Sequence, residues 1–242
     1  MLAYLNKQYK LQQFQPAWYS LFINPFYIIR KALFTNIQKL APHLGGGRLL
    51  DFGCGAKPYR SLFEVTEYLG LDMENPGHPH LTEEVDVFYD GKTIPFENNS
   101  FDAVLSSEVL EHVFEPESTL REINRVLKPG AMGLFTVPFV WNEHETPYDY
   151  GRYSAFGITH LMQKSGFEIV ELHRTTHFIE TWLQLGILYL YQLLETRNKY
   201  INILLTTLFI SPFNLLAVVL SKILPRNHSF YFNLVVLVRK MP

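Results

Sequence analysis

The chain has 242 residues, 48% of them hydrophobic and 18% charged, with a formal net charge of −2. That length buries a real core as one α/β domain or two small ones, and the composition excludes a disordered chain. No basic patch or stripe marks a nucleic-acid partner, and the single cysteine, Cys54, excludes an internal disulfide framework and suits a reducing compartment.

The opening "MLAYLNKQYK" has neither a signal peptide's apolar core nor its small-residue cleavage site, so the cytoplasmic side is expected. Residues 17–41 carry Ile28, Ile29, Ala32, Leu33 and Ile37 at helical spacing and predict one helix within an N-terminal cap, residues 1–44. After Gly45–Gly47, β-type and helical runs alternate. Strands are expected at 48–52, 68–72, 85–89, 101–106, 133–139, 167–172 and 232–240. The helix in "PESTLREINRVLKPG" puts Leu120, Ile123, Val126 and Leu127 on one face and stops at Lys-Pro-Gly. The helix in "SAFGITHLMQKSG" has Ser154 as cap and Gly166 as stop.

Near-continuous apolar strands joined through helices imply an α/β fold with a mostly parallel sheet covered on both faces. Such sheets bind ligands beyond the carboxyl ends of their strands, where strand order reverses. The core is set at residues 45–176 and its last strand at 230–242. Between them, 177–229 form an apolar helical insertion. Its second run, Ile201–Leu224, has sixteen apolar residues in twenty-four and is interrupted by "SPFN" at 211–214. That run is long enough to cross a bilayer. The last strand must return to the sheet it left, however, so a hairpin in the interface, or one dipping at Pro212, is the membrane form expected. Burial over the site or between the subunits of a homodimer accounts for the same surface. Arg197, Lys199, Lys222 and Arg226 suit anionic headgroups and ordinary helix ends equally. The expected location is therefore cytoplasmic, or peripheral at the inner face of the membrane.

The stretch "LLDFGCGAKPY" (49–59) follows the first strand with a tight turn. Gly53 and Gly55 let a ligand approach the backbone where a Cβ would block it. Asp72 ends the second strand 21 residues after Asp51, where an acid accepts ribose hydroxyl hydrogens in this kind of fold. Asp51 directly before the turn would repel a pyrophosphate and attract an amino or sulfonium group, which favours a cationic nucleoside over a dinucleotide.

"LLDFGCGAKPY", "YLGLD", "DGKTIPFENNSFDAVLSSEVLEHV" and "EINRVLKPGAMGLFTVP" resemble, in order, the motifs of class I S-adenosylmethionine-dependent methyltransferases of the type 11-like group. The resemblance covers about residues 45–173 and the last strand. It implies a Rossmann-like three-layer sandwich with a seven-stranded sheet of order 3-2-1-4-5-7-6 and an antiparallel last strand. It implies S-adenosylmethionine as cofactor, with Asp51 near the methionine amino group, Gly53 and Gly55 along the cofactor backbone, and Asp72 with Met73 at the ribose. Asp90 with Gly91 would meet the adenine, and Ser106 and Glu108 would line the methionine end. The chain departs from the pattern at Lys57, where many members have a third glycine; its side chain is expected to face solvent or an anionic substrate group. Each acid also has a structural reading, Asp51 and Asp72 as caps and Asp90 as an Asp-Gly turn. Cys54 reads as a small turn residue.

The cluster "NEHETPYDYGRYS" (142–154) lies on the rim where a transferred methyl should emerge, and resembling proteins often carry a similar stretch. His144 is the first candidate base, with Asp149 or Tyr150 behind it, and His112 is a second candidate. A self-satisfying structural loop is the competing reading. No metal site is expected: "HETPY" lacks the second histidine of H-E-x-x-H, and "HPH" (78–80) reads as a turn. The expected activity is methyl transfer to an oxygen or carbon of a small-molecule or lipid-like acceptor. A non-catalytic, membrane-associated module that binds the cofactor and a nicotinamide-dependent oxidoreductase are the rivals.

Overall fold

The computed structural model describes residues 9–73 and 85–242. The "HPH" turn lies outside the described residues. The described residues form two compact units, one within 36–173 and 233–242, the other within 9–35 and Arg174–Phe232.

The larger unit is built on a seven-stranded sheet of order β3-β2-β1-β4-β5-β7-β6, with β1 (Arg48–Phe52), β2 (Glu67–Met73), β3 (Val87–Tyr89), β4 (Phe101–Ser107), β5 (Leu127–Pro138), β6 (Phe167–Arg174) and β7 (Asn233–Lys240). The β3-β2, β2-β1, β1-β4 and β4-β5 pairs are parallel, and β7 runs antiparallel to β5. The expected strand order is therefore the observed one. Leu49, Leu50, Val104, Leu134 and Val137 are fully buried, which is why the central strands read as unbroken apolar runs. Strand order reverses at β1, between β2 and β4, and the residues after these strands form the candidate site.

Helix α1 (Tyr27–Leu40) runs from the smaller unit into the larger, and α2 (Pro116–Val126) buries Leu120, Ile123 and Val126. Helix α3 (Ala155–Lys164) is capped by the Ser154 hydroxyl, which accepts from Gly157 N–H at 3.1 Å. The strand β5 begins six residues before the expected start at 133: Leu127 pairs with Phe101, and the register shifts before Met132 meets Ala103. Lys-Pro-Gly thus lies in a bulge of the strand and not in a helix stop.

The smaller unit holds helix α4 (Phe178–Leu194) and the continuous helix α5 (Lys199–Ile223). The single helix expected over 17–41 is broken: a 3-10 turn covers Trp18–Phe22 and α1 starts only at Tyr27. Pro25 in "INPF" cannot continue a helix, and the carbonyls freed there are taken up by side chains from far along the chain. Gln184 Nε2 donates to Pro25 O (2.9 Å), and Asn214 Nδ2 donates to Leu21 O (3.0 Å) and Asn24 O (3.1 Å).

Helix α5 also departs from expectation, because "SPFN" does not interrupt it. A π-helical turn over Thr206–Ile210 precedes Pro212, Ser211 N–H reaches back to Thr206 O, and the Ser211 hydroxyl donates to Thr207 O at 2.7 Å. The hydroxyl thereby replaces the donor that proline lacks. The outer face of α5 leaves Leu204, Leu208, Leu215, Val219 and Ile223 exposed, and α4 adds Trp182, Tyr189 and Leu193. An apolar groove of about 550 Å³ lies among Trp182, Leu183, Gly186, Leu190 and Phe213.

Candidate active site

The turn after β1 is shaped by backbone conformation. Gly53 has φ +71°, and a Cβ there would run into the Val109 side chain. Its N–H and that of Cys54 donate to Leu71 O at 2.9 and 3.2 Å, which locks the elbow to β2. Asp72, at the end of β2, accepts from Gly55 N–H through Oδ2 and from Met73 N–H through Oδ1, both at 2.8 Å. The carboxylate at the end of β2 thus ties the elbow to the strand.

Lys57 corrects the sequence reading. Its side chain faces neither open solvent nor a substrate: Nζ pairs with Asp86 Oδ2 at 2.6 Å and the side chain is only 17% exposed. Asp86 also accepts from Gly70 N–H at 2.6 Å. The backbone of Lys57 has φ +50°, the left-handed conformation that favours glycine. The elbow therefore keeps the shape that the missing third glycine would give it.

Asp51 is 3% exposed, and Tyr68 donates its hydroxyl to Asp51 Oδ2 at 2.6 Å. Burial pushes its carboxyl up to about 7, against the Tyr68 hydrogen bond and with help from the neighbouring Asp72. A buried carboxylate held near neutrality in this way is suited to a positively charged ligand group, which would stabilise its ionised form. Burial, followed by Asp51, pushes the Cys54 thiol up, so the thiol is not activated as a nucleophile.

Beyond β3, Asp90 Oδ1 accepts from Lys92 and Thr93 N–H, each at 2.9 Å, and these bonds hold its carboxyl below the usual range. The Asp-Gly turn is thus formed, and Gly91 stands with φ +78° against Met73 Sδ. The loop that follows is fixed by α2: Arg125 donates to Ile94 O (2.9 Å) and Phe96 O (2.8 Å), while Glu122 accepts from Ile94 N–H (3.0 Å). Met73, Phe88, Tyr89 and Asp90 line an open cavity of about 330 Å³.

After β4 the carried-over residues divide. Ser106 Oγ is buried without a hydrogen-bond partner among the described residues. Glu108, at φ +57°, is tied to the sheet: Oε1 accepts from Thr136 Oγ1 (2.8 Å) and Oε2 from Asn233 Nδ2 (2.6 Å).

On the rim, His144 and Asp149 come together and Tyr150 does not join them. Asp149 accepts the His144 backbone N–H at 3.0 Å and lies 3.2 Å from His144 Nδ1. Arg152 grips Asp149 through both oxygens, at 2.5 and 2.6 Å. Burial works to raise the Asp149 carboxyl, but the bonds from Arg152 and His144 outweigh it and bring it down to about 2. Burial, then the nearby His112, lowers the His144 imidazole, so it is neutral at pH 7. The Tyr150 ring packs edge-on against exposed Phe114, and its backbone N–H donates to Glu111 O at 2.7 Å. His112 Nδ1 is bonded to Tyr148 O at 2.8 Å, and the two histidine rings meet edge to face with centroids 4.7 Å apart.

Three residues of this site escaped the sequence reading. Tyr68 lies beside Leu49 in the parallel register, and only that pairing puts its hydroxyl at Asp51. Asp86 is the lysine's counterion. Glu111, adjacent to His112 in "LEHV", is fully buried with both carboxylate oxygens unbonded among the described residues. The charged letter in an otherwise apolar stretch was its one signal.

These features fit S-adenosylmethionine: an elbow closed to a Cβ, a buried acid without a bonded cation among the described residues, an acid tied across the elbow, and an open recess after β3. Comparisons with known proteins agree. Residues 50–135 match the family model described as "Methyltransferase domain". A protein of Mycolicibacterium smegmatis named probable S-adenosylmethionine-dependent methyltransferase is 26% identical over 147 residues, 58% of this chain and 55% of its own length. Sterol 24-C-methyltransferase erg6 of Schizosaccharomyces pombe is 35% identical over 38% of this chain and 27% of its own. Demethylmenaquinone methyltransferase of Staphylococcus saprophyticus is 33% identical over 36% of this chain and 42% of its own. The chain thus spans about half or less of the length of these curated relatives. Among solved structures, an S-adenosylmethionine dependent methyltransferase from Mesorhizobium loti superposes with TM-score 0.52 at 17% identity, covering 86% of this chain and 98% of its own. The [4+2]-cyclase SpnF superposes with TM-score 0.55 at 20% identity, covering 88% and 82%. That cyclase shows that the fold alone does not name a reaction. The motifs, the sheet order and the match of residues 50–135 to the methyltransferase family model together support a class I S-adenosylmethionine-dependent methyltransferase domain within the larger unit.

Proposed function

We propose that the chain transfers a methyl group to an oxygen or carbon of a lipid-like acceptor, working against the cytoplasmic surface of a membrane. The observation that carries the acceptor class is the apolar outer face of α5. This 25-residue helix is flanked by Arg197 and Lys199 at one end and Lys222 and Arg226 at the other, and no acidic residue follows Glu195. Exposed apolar side chains between cations suit a bilayer interface with anionic headgroups. The segment leaves the sheet at β6 and returns to it at β7, which supports a helix lying in the interface over one that crosses once. The sterol and demethylmenaquinone enzymes among the relatives are named for apolar substrates, which supports the same class.

S-adenosylmethionine supplies a sulfonium-bound methyl that a nucleophile displaces in line. The chain's part is to bind and orient. Asp51 would hold the cationic end, Asp72 the ribose hydroxyls, and the recess by Met73, Phe88 and Tyr89 the adenine. Holding donor and acceptor in line provides much of the rate. A base is needed only where the accepting atom loses a proton, and His144, whose imidazole pKa burial lowers and whose Nδ1 lies beside Asp149, is the rim group suited to take it.

The test is methyl transfer from isotopically labelled S-adenosylmethionine into a membrane lipid extract and, separately, into a water-soluble metabolite extract. Label in an organic-phase product is expected. Label confined to a water-soluble product would overturn the lipid-like acceptor. Label transfer to neither, with the cofactor bound, would favour the binding module.

A further inference from the structure

From the geometry of the rim we infer that Glu111, His112 and His144 form a binding site for a first-row divalent transition-metal ion. The three residues each present one ligand atom, and those atoms all lie within 4.8 Å of one another. Ligands sharing one ion at about 2.0–2.2 Å sit roughly 3–4 Å apart, so small side-chain adjustments close the site.

Two observations independent of that proximity point to an ion. The first is Glu111. Its side chain is fully buried, and neither carboxylate oxygen has a hydrogen-bond partner among the described residues. Buried carboxylates are normally paired, hydrogen-bonded or bound to metal. The second is the way both imidazoles are tethered. His112 Nδ1 lies 2.8 Å from Tyr148 O, and His144 Nδ1 lies 3.2 Å from Asp149 Oδ2 and 3.3 Å from Asn142 O. A ring held by an Nδ1–H bond to a carbonyl or carboxylate turns the Nε2 lone pair outward, as metal-binding histidines do. Asp149 is itself held by Arg152. Glu145 Oε2, 3.9 Å from His112 Nε2, stands at the same edge.

The donor set selects the ion. Two imidazoles and one carboxylate suit Zn²⁺, Co²⁺ or Fe²⁺ and not Mg²⁺, which prefers oxygen ligands. Three protein ligands also leave coordination positions for water or for an oxygen of a bound molecule. The ligands come from two segments, the turn after β4 and the loop after β5, and so carry no H-E-x-x-H spacing. With an ion bound, His144 has no lone pair left for a proton, so its base role in the proposed function belongs to the metal-free protein. Cofactor binding at the elbow stands in either case.

The test uses the full chain stripped with a chelator and titrated with Co²⁺, Zn²⁺ and Mg²⁺ separately, followed by calorimetry and by the visible absorption of cobalt. One equivalent of Co²⁺ should bind with visible bands typical of low coordination, Zn²⁺ should displace it, and Mg²⁺ should not. Glu111→Gln and His144→Gln should each weaken Co²⁺ at least tenfold, while His173→Gln, in the surface pair with Glu171, should not. His144→Gln, on a partly exposed loop, provides the answer should the buried variant fail to fold. A wild-type chain that binds S-adenosylmethionine but takes up no stoichiometric Co²⁺ or Zn²⁺ would overturn the site, as would uptake unchanged in His144→Gln.

Discussion

The Tyr68 hydroxyl donates to Asp51 Oδ2 over 2.6 Å, between neighbouring parallel strands. This bond and the burial around it leave the carboxyl near 7, where a small change of environment decides its charge. A permanently positive sulfonium and a protonated amino group both favour the ionised form. S-adenosylmethionine affinity should therefore rise on the order of tenfold from pH 5.5 to 7.5, then fall as the ligand's amino group loses its proton near 8. Calorimetry across pH reads this directly. Asp51→Asn should remove the rising limb, and a limb that persists in that variant would place the titrating group elsewhere.

The same carboxyl affects stability without ligand. Its folded value lies above its unfolded one, so its stabilising contribution is complete below about 4 and is lost as pH rises through about 7. Above that, the folded chain buries a charge. The stabilisation of the ligand-free protein by Asp51→Asn should be larger at pH 8 than at pH 5 by about 2–3 kcal/mol. Urea unfolding at both pH values tests the sign.

Asp72→Ala removes the acceptor that ties Gly55 and Met73 N–H to β2. Cofactor affinity should drop by about 1–3 kcal/mol, the cost of leaving polar groups unpaired. Unchanged affinity in a folded variant would place the ribose elsewhere.

Asn214→Leu strips the donors from Leu21 O and Asn24 O in the buried break before α1. The smaller unit should lose about 1–3 kcal/mol, and limited proteolysis should cut first within residues 9–35.

Membrane association should be electrostatic as well as apolar. The chain should sediment with phosphatidylglycerol vesicles and not with phosphatidylcholine, less so as salt rises. Lys222→Glu with Arg226→Glu should weaken it severalfold. Equal sedimentation with both lipids would remove the headgroup role.

The sheet was legible in the sequence because its strands are buried on both faces and its turns carry Gly, Pro and Asp in local patterns; β1 was bounded to the residue. Where the reading failed, distant residues decided. The break at Pro25 is sustained by Gln184 and Asn214, more than 150 residues away. Helix α5 passes Pro212 because one wider turn and one serine hydroxyl absorb it, which no periodicity rule anticipates. The bulge at Lys128–Ala131 depends on β4 fixing both flanks. At the site, the resemblance supplied Asp51 and Asp72 and the rim cluster supplied Asp149, but Tyr68 beside Asp51, Asp86 beside Lys57 and the Arg152 grip on Asp149 follow from register and loop path. The chain's letters kept His112 and His144 apart; the fold brings them into contact.

At position 57 a long cation carries torsion angles usually left to the smallest residue, anchored at its far end by Asp86. Pattern searches written in residue letters will score that position as a defect, whereas searches written in dihedral angles will find it intact. Lys57→Gly would improve the letter match while setting an acid loose beside the cofactor strand, so a consensus-guided redesign of this loop should begin by keeping the lysine.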